Sequence, residues 1–207
     1  MAFWSRERRK KDRGEPEGAP EPAALPGPQR LSVVEFWTGD QRHVVGIDLS
    51  RERLADLLNR EASVRVAMLD FVPDDRTLQV EVDPGMRWSN LAVEESLLVF
   101  PPPQPTNPSR RLHRPRQPVE ILIGPFEVAG FAHIPPGGQA AGFLTRSGNR
   151  FGAVTRAVVR DPQLAGFEQR ADVLLVNLQK AGTIRDVDLR EQPGTGTDAG
   201  DAPPLPV

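Results

Sequence analysis

Apolar and polar positions alternate in short runs through the middle of this chain, and glycine or proline bounds most of the runs. Val33, Val34, Phe36 and Trp37 begin the first run. Thr38, Gly39 and Asp40 then supply a turn, and 43–49 alternates again. Two strand-like runs joined by such a turn predict a hairpin. Ser50 stands as an N-cap ahead of 51–60, where Leu54, Leu57 and Leu58 fall three and four apart and predict a helix of about three turns. Val64, Val66 and Met68 face one way and Ala67, Leu69 and Phe71 the other, the two-sided apolar pattern of a strand central in its sheet. Leu78, Val80 and Val82 alternate with polar residues and suit a half-exposed strand. Leu97, Leu98, Val99 and Phe100 make a short buried strand that Pro101 stops.

The same order returns in 119–161. Val119, Glu120 and Ile121 correspond to Val34, Glu35 and Phe36, Gly124 matches Gly39, and Gly130 matches Gly46. Phe143, Leu144, Thr145 and Arg146 lie on Leu57, Leu58, Asn59 and Arg60, and 151–161 supplies the strand equivalent to 64–70. Runs at 173–176 and 184–187 parallel the last strands of the first copy. Pro135, Pro136, Gly137 and Gly138 permit only a short helix from Gln139 onward. The expected fold is mainly β with one short helix per repeat, an α+β chain of two tandem small β-barrel-like domains at 32–100 and 118–189. Around them the sequence predicts a disordered basic and proline-rich arm at 1–31, a Pro/Arg-rich linker at 101–117 and a disordered tail at 190–207.

Composition sharpens this division. Many of the 22 prolines sit in the arm, the linker and the tail, which lack apolar periodicity and bury too little surface to offset the entropy of ordering. Each repeat has about seventy residues, near the lower limit for one core, so packing of repeat on repeat, self-association or a partner is expected. The chain has no cysteine, which removes disulfides and thiolate sites. No run of eighteen apolar residues occurs and no apolar signal core follows the N-terminal charges, so a cytoplasmic protein is expected.

The net charge of −2 conceals a segregation. Residues 32–100 carry seven Arg against thirteen Asp and Glu, a net of −6, whereas 119–189 balances seven basic and seven acidic residues. The linker holds Arg110, Arg111, Arg114 and Arg116 and no acid. Near the N-terminus Phe3 and Trp4 precede Arg6, Arg8, Arg9, Lys10, Lys11 and Arg13. Rings followed by cations suit an anionic membrane surface, with a solvated tail the plainer account, while the linker arginines suit a phosphate backbone or an acidic protein surface, with a solvated connector the plainer account. Phe3, Trp4, Arg8, Arg9, Lys10, Lys11, Arg110, Arg111, Arg114 and Arg116 are therefore the candidate partner-binding residues.

Candidate catalytic chemistry is sparse. His43, His113 and His133 are not spaced to share a metal, no nucleophile elbow surrounds a serine, and tyrosine is absent. His43 and His133 read as partly exposed strand residues. The adjacent pairs Asp74 and Asp75, and Glu94 and Glu95, read as solvated, since neighbouring side chains diverge. Pro135 to Gly138 offers an anion-holding nest or a tight turn; its counterpart Leu49 and Ser50 lacks glycine, which favours the turn. Trp37, Trp88 and Phe36 suit a core better than base stacking. No cofactor or metal site is expected.

Two resemblances follow from these residues. RHVVGIDLSRERLADLLN and FEVAGFAHIPPGGQAAGFLTRSGNRFGAVTRAVV resemble copies of an uncharacterised bacterial domain family that orders a strand, a glycine, a short R-L-x-D-x-L-N helix and a strand. The first copy matches at Arg53, Leu54, Asp56, Leu58 and Asn59. The second keeps Phe143 and Leu144 but has Thr145 in the place of Asn. This resemblance implies a fold and no activity. More weakly, the strand pair meeting at Gly46 or Gly130 is similar to Sm-like small β-barrels, from which the helix between the second and third strands departs. The −6 charge opposes the phosphate backbone such barrels would meet. The expectation is a non-enzymatic adaptor or scaffold that binds a partner protein through β surfaces and arms, in contact with the inner membrane surface if the arm docks there. The alternative is nucleic-acid binding through 6–13 and 110–116.

Overall fold

In the computed structural model, the described residues are 30–39, 41–50, 52–69, 79–102 and 114–187. Strand accounts for 54% of them, so the chain is mainly β, and two short helices complete it. The first half contributes β1 (Arg30–Trp37), β2 (Arg42–Ile47), α1 (Leu54–Arg60), β3 (Ser63–Met68), β4 (Gln79–Glu81), β5 (Trp88–Ala92) and β6 (Leu98–Phe100), with a 3-10 turn at Val93–Glu95. The second contributes β7 (Arg116–Ile123), β8 (Phe126–His133), α2 (Ala140–Arg146), β9 (Phe151–Arg160), β10 (Glu168–Asn177) and β11 (Ala181–Asp186).

All eleven strands join one antiparallel sheet in the order β11, β7, β8, β9, β10, β6, β1, β2, β3, β5, with β4 beside the start of β1. The sheet is not closed. Two tandem small barrel-like domains were expected; instead the halves join edge to edge in one sheet, because β10 pairs with β6 through Leu175 with Val99 and Val176 with Leu98. Leaving β4 aside, each half places its last strand beside its first, followed by the second, the third and the remaining one.

Burial explains which strands are central. In β1, Leu31, Val33, Val34, Phe36 and Trp37 are all buried, so apolar side chains leave both faces, and neighbours pair along both of its edges. The glycine shared by the halves is needed for close approach in the second. A Cβ at Gly130 would lie 2.5 Å from Val154 Cγ1 and 3.0 Å from the Thr155 carbonyl oxygen. Opposite it, β9 bulges and Arg156 takes φ +50°, a left-handed conformation that costs a non-glycine residue strain. The first two strands of that half turn tightly at Gly124, with φ +54°.

Two buried clusters result, and each borrows from the other half. Val34, Phe36, Val45, Ile47, Leu54 and Leu58 lead the first cluster, which also takes in Phe151 and Leu175. The second is built on 119–176 and takes in Trp37, Leu97 and Leu98. Trp37 sits among Phe100, Phe126 and Phe167, with ring centroids 5.5, 5.3 and 5.4 Å away. A buried tryptophan withdraws about 150–250 Å² from water, worth about 4–6 kcal/mol by area. Its indole N–H donates to Glu35, which also binds Arg42, so the one polar atom of the ring is satisfied.

The helices correct one expectation. Helix α1 begins at Leu54 rather than near 51, and Arg53 is its N-cap, without a side-chain bond. Ser50 does not cap it; its N–H is held by Asp48 Oδ1 at 2.9 Å, so the Asp forms a local turn that competes with helix. The α2 helix starts after Gln139, and Gly137 with φ +79° forms a tight turn ahead of it. No described helix is long and apolar enough to cross a membrane.

Candidate partner-binding surface

Of the sequence-predicted binding residues, Phe3, Trp4, Arg8, Arg9, Lys10, Lys11, Arg110 and Arg111 lie outside the described residues, as do His113, Asp74 and Asp75. Arg114 and Arg116 are described and exposed, at the entry to β7. Arg116 lies opposite His133 across the β7–β8 ladder. Thr155 Oγ1 donates to the Phe131 carbonyl at 3.2 Å, so it accepts from His133 Nε2 at 2.9 Å, which places a proton on Nε2. Partial burial, then Arg116 and Arg114, hold the His133 pKa below its ordinary value. Neither arginine has an acidic partner among the described residues, whereas Arg42, Arg60, Arg160, Arg170 and Arg185 all do.

Among the described residues one hollow can be examined for a small-molecule site. The depression of about 400 Å³ where β7 meets β11 is lined by Gln117, Pro118, Asp186 and Val187. Its polar groups serve the chain itself. Gln117 Oε1 accepts from the Ala140 N–H at 3.0 Å, Gln117 Nε2 donates to the Gly138 carbonyl at 2.8 Å, and Asp186 Oδ1 accepts from the Ala141 N–H at 3.1 Å. The first and last of these bonds satisfy the first amides of α2, the groups that a helix start leaves without partners. Among the described residues no group of three or more His, Asp or Glu is arranged to hold a metal.

The sheet offers more than its hollows. An open sheet ends in two strands whose outer backbone groups have no ladder partner, and among the described residues these are β5 and β11. They are guarded differently. The β11 strand carries a bulge between Ala181 and Thr183, charges at Arg185 and Asp186, and helix α2 packed against it. The β5 strand has no charge, no proline and an unbroken register against β3, from Ala92 with Ser63 to Trp88 with Ala67. The Val93 N–H bonds the Ala62 carbonyl and the Met68 N–H bonds the Arg87 carbonyl. By the antiparallel alternation, residues 87, 89, 91 and 93 spend their backbone groups on β3, and Trp88, Asn90 and Ala92 direct theirs outward. Trp88 is 38% exposed and the Arg65 guanidinium stacks on it at 4.6 Å from the ring centroid. Beyond the strand end, Glu94 and Glu95 are exposed.

Sequence reasoning grouped Trp88 with the core aromatics, and it did not single out Asn90. The signal was present in WSNLA, a strand-like run with neither charge nor proline, but its place at the sheet edge depends on pairing that the sequence does not display. No protein-family model matches the chain, and no curated protein or solved structure matches it.

Proposed function

We propose that this chain is a non-enzymatic adaptor or scaffold, built from two tandem units of one design, that binds a partner protein through its β surfaces and terminal arms. The observation that supports it best is the unguarded edge at β5 beside the exposed Trp88, in a sheet whose other edge is bulged, charged and flanked by a helix. Edge strands left without charge, proline or bulge are rare in natural sheets because they recruit other chains, so an edge kept in that state fits a binding role. The polar groups of the hollow between β7 and β11 are occupied by the chain's own bonds, which leaves that hollow little suited to enclosing a substrate. The test is co-purification from source cells with the tagged full chain and with a version lacking 1–29. A specific partner recovered with the full chain is the expected result, with loss on truncation if the arm contributes. Recovery of no specific partner by either version sinks the reading.

A second reading, nucleic-acid binding through 6–13 and 110–116, draws on Arg114 and Arg116, exposed and without acidic partners among the described residues. Binding of RNA or DNA that weakens steeply with salt is its expected sign. No binding at low salt ends it.

A further inference from the structure

The junction between the halves shows what this sheet does with such an edge. There β10, which in its half occupies the place that β5 has in the first, accepts β6 as an antiparallel neighbour. Side chains reinforce the pairing. Asn177 Nδ2 donates to the Ser96 carbonyl at 2.8 Å, and the Asn177 N–H donates to the Leu97 carbonyl. By register Ala92 stands in β5 where Asn177 stands in β10, since each faces the first residue of the strand beside it, Ser63 and Phe151. The β5 edge thus keeps the backbone groups of an acceptor and lacks the side chain that commits β10 to its own chain. A second copy offering β11 fits badly, because that strand is bulged, charged and packed by α2.

Resting on the adaptor reading above, we propose that β5 accepts an extended segment of a partner protein as an added antiparallel strand, uncharged along its length and basic at its N-terminal end. Antiparallel follows from every pairing in this sheet. In that orientation the N-terminal end of the guest lies past Ala92, beside exposed Glu94 and Glu95, in a half whose net charge is −6. Trp88, with Arg65 stacked on it, forms the opposite end of the site and packs against the guest's C-terminal side chains, a wide apolar anchor of the kind that concentrates binding energy.

The probes are two capped synthetic peptides, KKTVTVT and EETVTVT, titrated into the full chain by calorimetry. Saturable one-to-one binding of the lysine peptide is expected, with the glutamate peptide roughly tenfold weaker. Asn90→Pro removes an N–H that points away from β3, so it spares the existing ladder and should weaken binding by at least about tenfold. If that variant does not fold, E94K/E95K decides, because both positions are exposed and the charge reversal should invert the preference between the peptides. Strand addition is overturned if neither peptide saturates at millimolar concentration, if a folded Asn90→Pro protein binds unchanged, or if the charge reversal leaves the preference intact. A chain that still co-purifies with its partner while any of these holds loses the β5 site and keeps the adaptor role; failure to co-purify any partner removes the adaptor role itself.

Discussion

The two helices hold the same place in their halves, between the second and third strands, and they are used in opposite ways. Helix α1 reaches across the junction. Its Asn59 Nδ2 donates to the Phe151 carbonyl at 3.2 Å and its Oδ1 accepts from the Phe151 N–H at 2.7 Å, so one amide side chain closes both backbone groups at the start of β9. Arg150 answers from the other side, its guanidinium donating to the Glu61 carbonyl at 2.7 Å, where α1 ends with unpaired carbonyls. Helix α2 turns inward, packing on β11 and β7, and Thr145 in the place of Asn59 merely returns its hydroxyl to the Ala141 carbonyl one turn back. Two helices of one pattern thus differ by whether a neighbouring unit stands beside them, and the polar residues record that difference where the apolar ones do not.

Removing the apolar wedge at the junction should have the largest effect. Trp37 is 8% exposed and touches rings from both halves, so Trp37→Ala empties a site lined by Phe100, Phe126 and Phe167. A loss of about 3–5 kcal/mol is expected in denaturant unfolding. Because each core contains residues of the other half, the wild type should unfold in one transition by both fluorescence and circular dichroism. Two separated transitions in the wild type would break the view of the halves as one interlocked body.

The helix comparison is tested at matched positions. Asn59→Ala leaves the Phe151 N–H and carbonyl without partners in a partly buried place and should cost about 1–3 kcal/mol. Thr145→Ala removes a bond that serves only its own exposed helix turn and should stay within about 0.5 kcal/mol. Equal costs at the two positions would mean that Asn59 contributes helix stability alone and that the crossing bonds are incidental.

Much of this framework was legible in the sequence because strand periodicity and turn glycines are local signals. The runs at 33–37 and 119–123 are strands, the run begun at His43 is strand as far as Ile47, and the short helix after Gln139 is in place. Pairing across long separations was not legible. The β6–β10 ladder holds two residue pairs, and nothing in LLVF or LLVN distinguishes an edge from a junction. The same limit hid the candidate site, since an edge is defined by the neighbour it lacks. Asn59 was visible as part of a motif, but its work, a bond to a residue ninety-two positions later, was not.

The smallest effect concerns the second half's outer face. His133 lies between Arg116 and Thr155, and burial with the two arginines Arg116 and Arg114 holds its folded-state pKa below the ordinary 6.5. The unfolded chain then binds the proton more readily than the folded one. The stability tied to neutral His133 is therefore present above pH 6.5 and is lost as pH falls through the lowered folded value. Glu52 is held below 4.5 by Arg60, and Glu168 by Arg170 and Arg160, so their contributions begin to fade only as pH falls past 4.5. Between these limits the melting temperature of the wild type should decline more steeply than that of His133→Gln, whose amide can still donate to Thr155 and cannot titrate. The two curves should meet above pH 7 if glutamine reproduces the bond. Parallel curves from pH 7.5 to 5 would show that neither burial nor the field of Arg116 and Arg114 lowers the pKa of the ring, and would leave those arginines as solvated residues at a strand entry with no bearing on their neighbour.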